Sequence, residues 1–430
     1  MTEAPPVSLD AAALDALALG RRAQALLDEL ALATDEPGRV TRTYLSPAHA
    51  RALDLLAGWM RARRLVPRLD AVATLHGRRE ADLAPETAPT LYVGSHVDTV
   101  IDAGKLDGCL GVIAGLLLVE EIDRRGWKLP FAIEILAFGD EEGVRFPTAL
   151  SSSSAATGTW RAEWLDTVGS DGITLREALV AFGCDPDAIA DARLDPARAL
   201  GWLELHIEQG PLLEHWDLPL GVVSSIAGQT RMGLAVAGMA GHAGTVPMEL
   251  RRDAFAGLAE IALAVERIGR EGSSGLVATV GRVAVSPGAG NTVPGRVEAS
   301  LDVRAGADPA RLVALDRIAH EANRIAARRG LAVALARHVD VPTVPMDERL
   351  QGALAAAVAS LGLDVRRLPS GAGHDAMAMA RAMPAAMLFV RSKGGISHNP
   401  LEASDPLDIG LGIEAMIRAV RRLADEETRP

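Results

Sequence analysis

The sequence predicts an α/β protein whose main domain is discontinuous, interrupted by a smaller inserted α+β domain. Three observations predict it. Apolar strand-like runs alternate with helical segments as far as residue 217; strands then bracket two helices over residues 218–332; and the first grammar resumes over residues 333–430. A chain of 430 residues exceeds the usual single-domain range, so two cores are expected.

Taken in order, "LDLLAGWMRARRL" reads as a helix, "TLYVGSH" as a strand and "GVIAGLLLVEEIDRRG" as a helix, followed by the strands "FAIEILAFGD" and "LGWLELHIE". From Leu218 come the strands "LGVVSSI", "TRMGLAVAG", "LVATVGRVAV" and "GRVEASLDVRA". Between and after them lie the helices "RRDAFAGLAEIALAVERIGRE" and "DPARLVALDRIAHEANRIAARR", the first amphipathic with a solvated charged face. Strands on either side of two helices fit an antiparallel-sheet unit of about 115 residues, an ordinary domain size. "AAMLFV" is a further buried strand of the main domain.

Composition removes several function classes. A formal net charge of −12 repels a polyanion, and 3% aromatic residues leave little for base stacking, so nucleic acid is not an expected partner. No membrane helix is expected either: "GVIAGLLLV" is about half the roughly 18 apolar residues required, and Glu120 and Glu121 close it. The N-terminal "MTEAPPVSLDAAALDALALG" lacks a basic n-region and reads as a short helix of the mature chain. Two cysteines, Cys109 and Cys184, suit a reducing cytoplasm.

The chemistry lies where strands end. "TLYVGSHVD", "FAIEILAFGDEEG", "LGWLELHIEQG" and "AAMLFVRSKGGISHNPLE" each carry an apolar strand into His, Asp or Glu, and ligands of open α/β sheets bind beyond the carboxyl ends of the strands. Converging carboxylates and imidazoles are costly alone and favourable around cations. The predicted ligands are His96, Asp107, Glu142, His206 and His398, with Asp107 of the tight "KLDG" turn bridging two divalent ions. A nitrogen and oxygen donor set without thiolate suits zinc, manganese or cobalt. Asp98 is predicted to accept the other N–H of His96 and fix its tautomer. Glu141, facing away from its neighbour Glu142, is the predicted general base for a water made acidic near neutral pH. Two such cations nearly balance Asp107, Glu142, Glu141 and a hydroxide, so an anionic substrate is not rejected.

With these residues assembled, the sequence resembles the hydantoinase/carbamoylase family of amidohydrolases, within the aminoacylase and carboxypeptidase-like superfamily of co-catalytic metallopeptidases. "GSHVDTV", "LDG", "DEEGVRF", "HIEQG", "GHAGTVPM", "GAGHDA" and "SHNPLE" carry the resemblance across nearly the whole chain. It implies the ligand roles above, with His206 setting this branch apart from peptidases that use a carboxylate there. It implies that the inserted domain is a dimerising lid with a four-stranded sheet and two helices. His242 would reach into the partner subunit's site and polarise the scissile carbonyl, Asn291 and Arg304 would hold the substrate carboxylate, and Gln209 would bond the ureido group. A cis Asp107–Gly108 peptide is also implied. One departure is the run Ser151 to Ser154, where a Gly-Ser-Arg step belongs.

Bland readings exist for each residue. Arg304 ends a strand as any surface cation does, Asn291 precedes a turn, and His242 sits in a Gly-rich loop. His374 and Asp375 read equally as partners of a metal ligand or contacts of the substrate, with His374 the substrate candidate, or as a Gly-rich helix start capped by Asp375. His49, His76, His215, His320 and His338, without acidic partners at ligand spacing, read as structural. Together the residues predict a cytoplasmic, homodimeric amidohydrolase with two divalent cations per subunit. Its substrate is a small ureido acid, first an N-carbamoyl-L-amino acid cleaved to ammonia and carbon dioxide. Allantoate or ureidoglycolate hydrolysis is the alternative in the same class. A catalytically silent metal-binding or interaction protein is the alternative from another class.

Overall fold

The structure, a computed structural model, describes residues 11–428. It divides into two compact units: Met1–Val223, Met346–Arg367 and His374–Pro430 form the first, and Ser224–Pro345 with Leu368–Gly373 the second. Of the predicted N-terminal helix, residues 1–10 lie outside the described residues; the remainder is a long helix, Ala11–Ala31.

The first unit is built on a large mixed sheet. Its strands run in the order Val66–Leu69, Leu75–Arg79, Ala132–Phe138, Thr90–His96, Ala199–Ile207, Ala385–Val390 and Leu220–Ile226. The four from Ala132–Phe138 to Ala385–Val390 are mutually parallel, and their neighbours at both sides are antiparallel. All four are buried on both faces, as continuous Val, Ile, Leu and Ala runs demand. The helix Cys109–Arg124 packs on this sheet with thirteen buried residues, and Gly111 and Gly115 let it approach. A Cβ on Gly111 would meet the Leu205 carbonyl oxygen at 2.7 Å. From Thr90–His96 the chain moves to one side for Ala132–Phe138 and to the other for Ala199–Ile207. The loops therefore part beyond His96, the kind of switch point where α/β sheets bind ligands.

The second unit has a four-stranded antiparallel sheet in the order Ala332–Val341, Gly228–Ala237, Arg296–Ala305, Val277–Ser286. Helices Ala254–Arg270 and Asp308–Arg329 bury Leu258, Ile261, Val265, Leu315, Ile318 and Ile325 against it. A two-stranded ribbon pairs Gly241–His242 with Thr292–Val293.

Both predicted boundaries shift. "LGVVSSI" is hydrogen-bonded beside Ala385–Val390, so the second unit starts at Ser224 instead of Leu218. It extends to Pro345 instead of residue 332, because Ala332–Val341 is an edge strand of the small sheet. His76 is structural but far from unpartnered: Nδ1 lies 2.8 Å from Glu134 Oε1 and Nε2 3.2 Å from Asp70 Oδ2, since the antiparallel pairing beside Ala132–Phe138 brings Glu134 alongside. Among the described residues no helix is long and apolar enough to cross a membrane.

Candidate metal centre

The Asp107 turn fixes the site. Gly108 has φ 66° and caps the helix Cys109–Arg124, and the Asp107–Gly108 bond is trans; among the described residues the cis bond is Ser286–Pro287. A glycine at positive φ completes this turn without the roughly 3–4 kcal/mol cost of a non-proline cis bond, which corrects the sequence expectation. Gly108 also makes room, since a Cβ there would stand 2.5 Å from three atoms of the His96 ring.

Around this turn the five predicted ligands come together. Asp107 Oδ1 lies 3.6 Å from His96 Nε2 and 3.3 Å from His206 Nε2. Its other oxygen, Oδ2, lies 3.4 Å from His398 Nε2, which is 3.5 Å from Glu142 Oε2. These separations are too long for good hydrogen bonds. They match the ~3.4 Å between two donor atoms that each lie ~2.1 Å from a tetrahedral ion. Two donor groups result, His96, Asp107 and His206 in one and Asp107, Glu142 and His398 in the other, sharing one carboxylate. The chemistry and spacing of these donors fit divalent-cation binding.

Backbone contacts orient the imidazoles. His96 Nδ1 donates to the Asp98 carbonyl oxygen at 3.0 Å and His206 Nδ1 to the Ile207 carbonyl oxygen at 2.9 Å, which turns each Nε2 toward Asp107; His206 Nε2 also accepts the Gly108 N–H at 3.3 Å. Asp98 thus acts on His96 through its backbone, and its carboxylate stands 3.6 Å from the ring. That carboxylate accepts the N–H of Glu141 and of Glu142, each at 3.2 Å, and so holds the acidic pair in place. Glu141 does not face away: its carboxylate lies within 4.8 Å of donor atoms of His96 and Glu142. In an extended strand the two would point oppositely, but Asp140 at φ 60° and Gly143 at φ 62° curl the segment.

Burial and neighbouring charges shift the acids and imidazoles of the cluster. Burial pushes the Glu142 carboxyl up to about 7, with Asp107 and Asp98 adding to it. Burial likewise raises Glu141 well above the carboxylate range, reinforced by Asp375, Glu142 and Asp98 against the pull of His96. His398 is raised to about 8, chiefly by Asp107. Burial would raise Asp107 too, but His206, His398 and His96 hold it well below its ordinary value.

Other predicted residues are placed differently. Gln209, at φ 58°, donates from Nε2 to Asp107 Oδ2 at 2.7 Å instead of standing free for a substrate, and its Oε1 is buried without a hydrogen-bond partner. His374 is 1% exposed, its ring edge-on to His206 at 4.4 Å and against Phe389. His242, Asn291 and Arg304 lie in the second unit. The ribbon sets His242 opposite Thr292, with Asn291 next to it; both are exposed, and His242 Nδ1 accepts the Gly244 N–H at 3.0 Å. The Arg304 fork is engaged by Asp302, Nε to Oδ1 at 3.0 Å and Nη2 to Oδ2 at 3.2 Å, because the two residues lie two apart on one face of the strand.

Sequence reading passed over one buried carboxylate on the strand that carries His206. Glu204, on the same strand face as His206, accepts from Ser95 Oγ at 2.7 Å, Trp202 Nε1 at 3.1 Å and the Ala376 N–H at 3.0 Å. Its two-residue spacing from His206 was the available signal. Asp375 is fully buried and pushed up to about 8 by burial and by Glu204. The serine run is a buried helix, Ser151–Ala156, whose Ser152 Oγ accepts the Gly139 N–H at 2.9 Å and so braces the loop that carries Glu141.

A mixed sheet with paired imidazole and carboxylate groups beyond its parallel strands defines a metallohydrolase. More particularly, the chain belongs to the peptidase family M20/M25/M40, whose sequence profile matches residues 92–422. It is 38% identical over 418 residues to allantoate deiminase of Arabidopsis thaliana, covering 90% of this chain and 79% of that one. To N-carbamoyl-L-amino acid amidohydrolase of Geobacillus stearothermophilus it is 38% identical over 409 residues, 95% of this chain and 99% of the other. The crystal structure of a hydantoinase/carbamoylase family amidase from Burkholderia multivorans superposes with a TM-score of 0.87 at 32% identity, covering 94% of this chain and 98% of that one. The family is metal-dependent, and its relatives here are hydrolases of carbon–nitrogen bonds.

Proposed function

We propose that this protein hydrolyses the ureido C–N bond of a linear N-carbamoyl compound, first an N-carbamoyl-L-amino acid, releasing ammonia and carbon dioxide. The carrying observation is the Asp107 carboxylate with two imidazoles on one oxygen and a third on the other, and Glu141 beside them. His96, Asp107 and His206 would hold one divalent cation, and Asp107, Glu142 and His398 a second. Zinc, manganese or cobalt there would supply Lewis acidity and lower the pKa of water to about 7. Glu141 takes a proton from the attacking water at its carboxylate and passes it to the leaving nitrogen. Asp98 keeps Glu141 and Glu142 in register by accepting both backbone N–H groups.

The same proposal includes a cytoplasmic homodimer joined through the second unit, in which His242 stabilises the oxyanion across subunits. Asn291 and Arg304 take the substrate carboxylate, for which Asp302 must yield part of the Arg304 fork. Gln209 bonds the ureido group by turning from Asp107. Allantoate is the second reading, favoured by a relative of equal identity that carries that activity's name. Ammonia release from N-carbamoyl amino acids, β-ureidopropionate and allantoate, with manganese, cobalt or zinc added, tests both. Turnover of one of them supports the proposal, and inertness toward all of them contradicts it.

A further inference from the structure

The bridging carboxylate is braced from behind by two residues to which the mechanism gives no role. Glu402 is 5% exposed, and its Oε1 accepts the Leu106 N–H at 2.7 Å and the Asp107 N–H at 3.2 Å. Its Oε2 meets Ser397 Oγ at 3.0 Å, and the Ser397 hydroxyl lies 2.6 Å from Asp107 Oδ2. One side chain therefore grips the backbone of the Asp107 turn directly and packs its other oxygen against the hydroxyl that reaches the Asp107 carboxylate. Gly104 keeps the space: a Cβ there would stand 2.2 Å from Glu402 Oε1.

This contact matters because the terminal torsion of an aspartate is soft. A carboxylate shared between two donor groups must keep Oδ1 toward His96 and His206 while Oδ2 faces His398. A small rotation would turn both oxygens toward one side. We propose that Glu402, acting through Ser397, is a positioning residue that sets the orientation of Asp107 and thereby sustains the cation position between Asp107, Glu142 and His398. The inference rests on the two-cation reading above. Ser397 touches only Oδ2, so its loss should weaken one cation position more than the other.

The test is titration of chelator-stripped full-length protein with Zn²⁺ by calorimetry, with the absorption spectrum of the Co²⁺ form as a second readout. Wild type should take up two ions. Ser397→Ala and Glu402→Ala should weaken one of the two ions about 10–100-fold, the usual effect of losing a partner of a ligand, and leave the other within about threefold. Glu402→Gln should restore wild-type binding, because its amide oxygen accepts both N–H groups and its nitrogen donates to Ser397. Gly104→Ala, which displaces Glu402 without altering it, should copy Glu402→Ala and stands in for it should that variant not fold. Two ions in wild type with unchanged affinities in Ser397→Ala and Gly104→Ala would overturn the positioning role alone. Fewer than two ions in wild type would overturn the functional reading and this inference together.

Discussion

Replacing Gly108 by alanine isolates the geometric demand of the site. The added Cβ stands 2.5 Å from Cγ, Cδ2 and Cε1 of His96, about 0.9 Å inside ordinary contact. Asp107 and the helix Cys109–Arg124 anchor the backbone, so the imidazole has to give. A displacement near 1 Å exceeds the ~0.2 Å tolerance of a metal–ligand bond and is of the size that costs about 100-fold in rate. Alanine at φ 66° and ψ −53°, outside even the left-handed helical region, adds backbone destabilisation of at least the ~1–2 kcal/mol that region costs. Gly126→Ala is the control, with φ 65° and no atom within 4 Å of the new Cβ, so it carries a positive-φ backbone cost without a clash. Ureidohydrolase kcat/KM, bound metal and Tm are the assays. We expect Gly108→Ala to lose at least 100-fold in kcat/KM together with metal, and Gly126→Ala to lose only stability. Equal activity and metal content in the two variants would refute the argument.

Glu141→Gln should lower kcat by three or more orders of magnitude with metal content unchanged, and loss of metal in this variant would assign Glu141 to cation binding instead. If His242 acts across subunits, inactive Glu141→Gln and inactive His242→Ala, mixed and refolded, should regain activity through heterodimers that carry one intact site. Absence of any recovery in verified heterodimers contradicts the cross-subunit role. At the far sheet edge, burial disfavours the His76 imidazolium, but Asp70 and Glu134 outweigh it and raise its pKa. The stability it contributes is therefore full below about pH 6.5 and lost as pH rises through the raised value. The Tm gap between wild type and His76→Gln, at fixed metal concentration, should be widest near pH 6 and narrow toward pH 9; a gap that widens with pH would be inconsistent with this.

Most of the parallel core was legible because four strands buried on both faces must be continuous apolar runs, and their ends carried the ligands. Elements whose apolar signal is shared or weak were not. "LGVVSSI" is as apolar in the large sheet as it would be in the small one, so its sheet was decided by pairing with Ala385–Val390. Ala332–Val341 is an edge strand, exposed along much of its length, and its alternation of apolar residues does not say which sheet it joins. The orientation of Glu141 depended on Asp140 at positive φ, a backbone choice that residue type permits without announcing. Glu402 and Ser397 were hidden for another reason: hydrogen bonds across almost 300 residues of chain separation leave no local pattern.

Crystals grown with Mn²⁺ or Zn²⁺ and measured at the metal absorption edge test the central claim most directly. The account predicts two anomalous peaks about 3.5–4 Å apart on either side of the Asp107 carboxylate, one against His96 and His206 and the other against Glu142 and His398. Peaks at other residues, or none at these five under saturating metal, would contradict it.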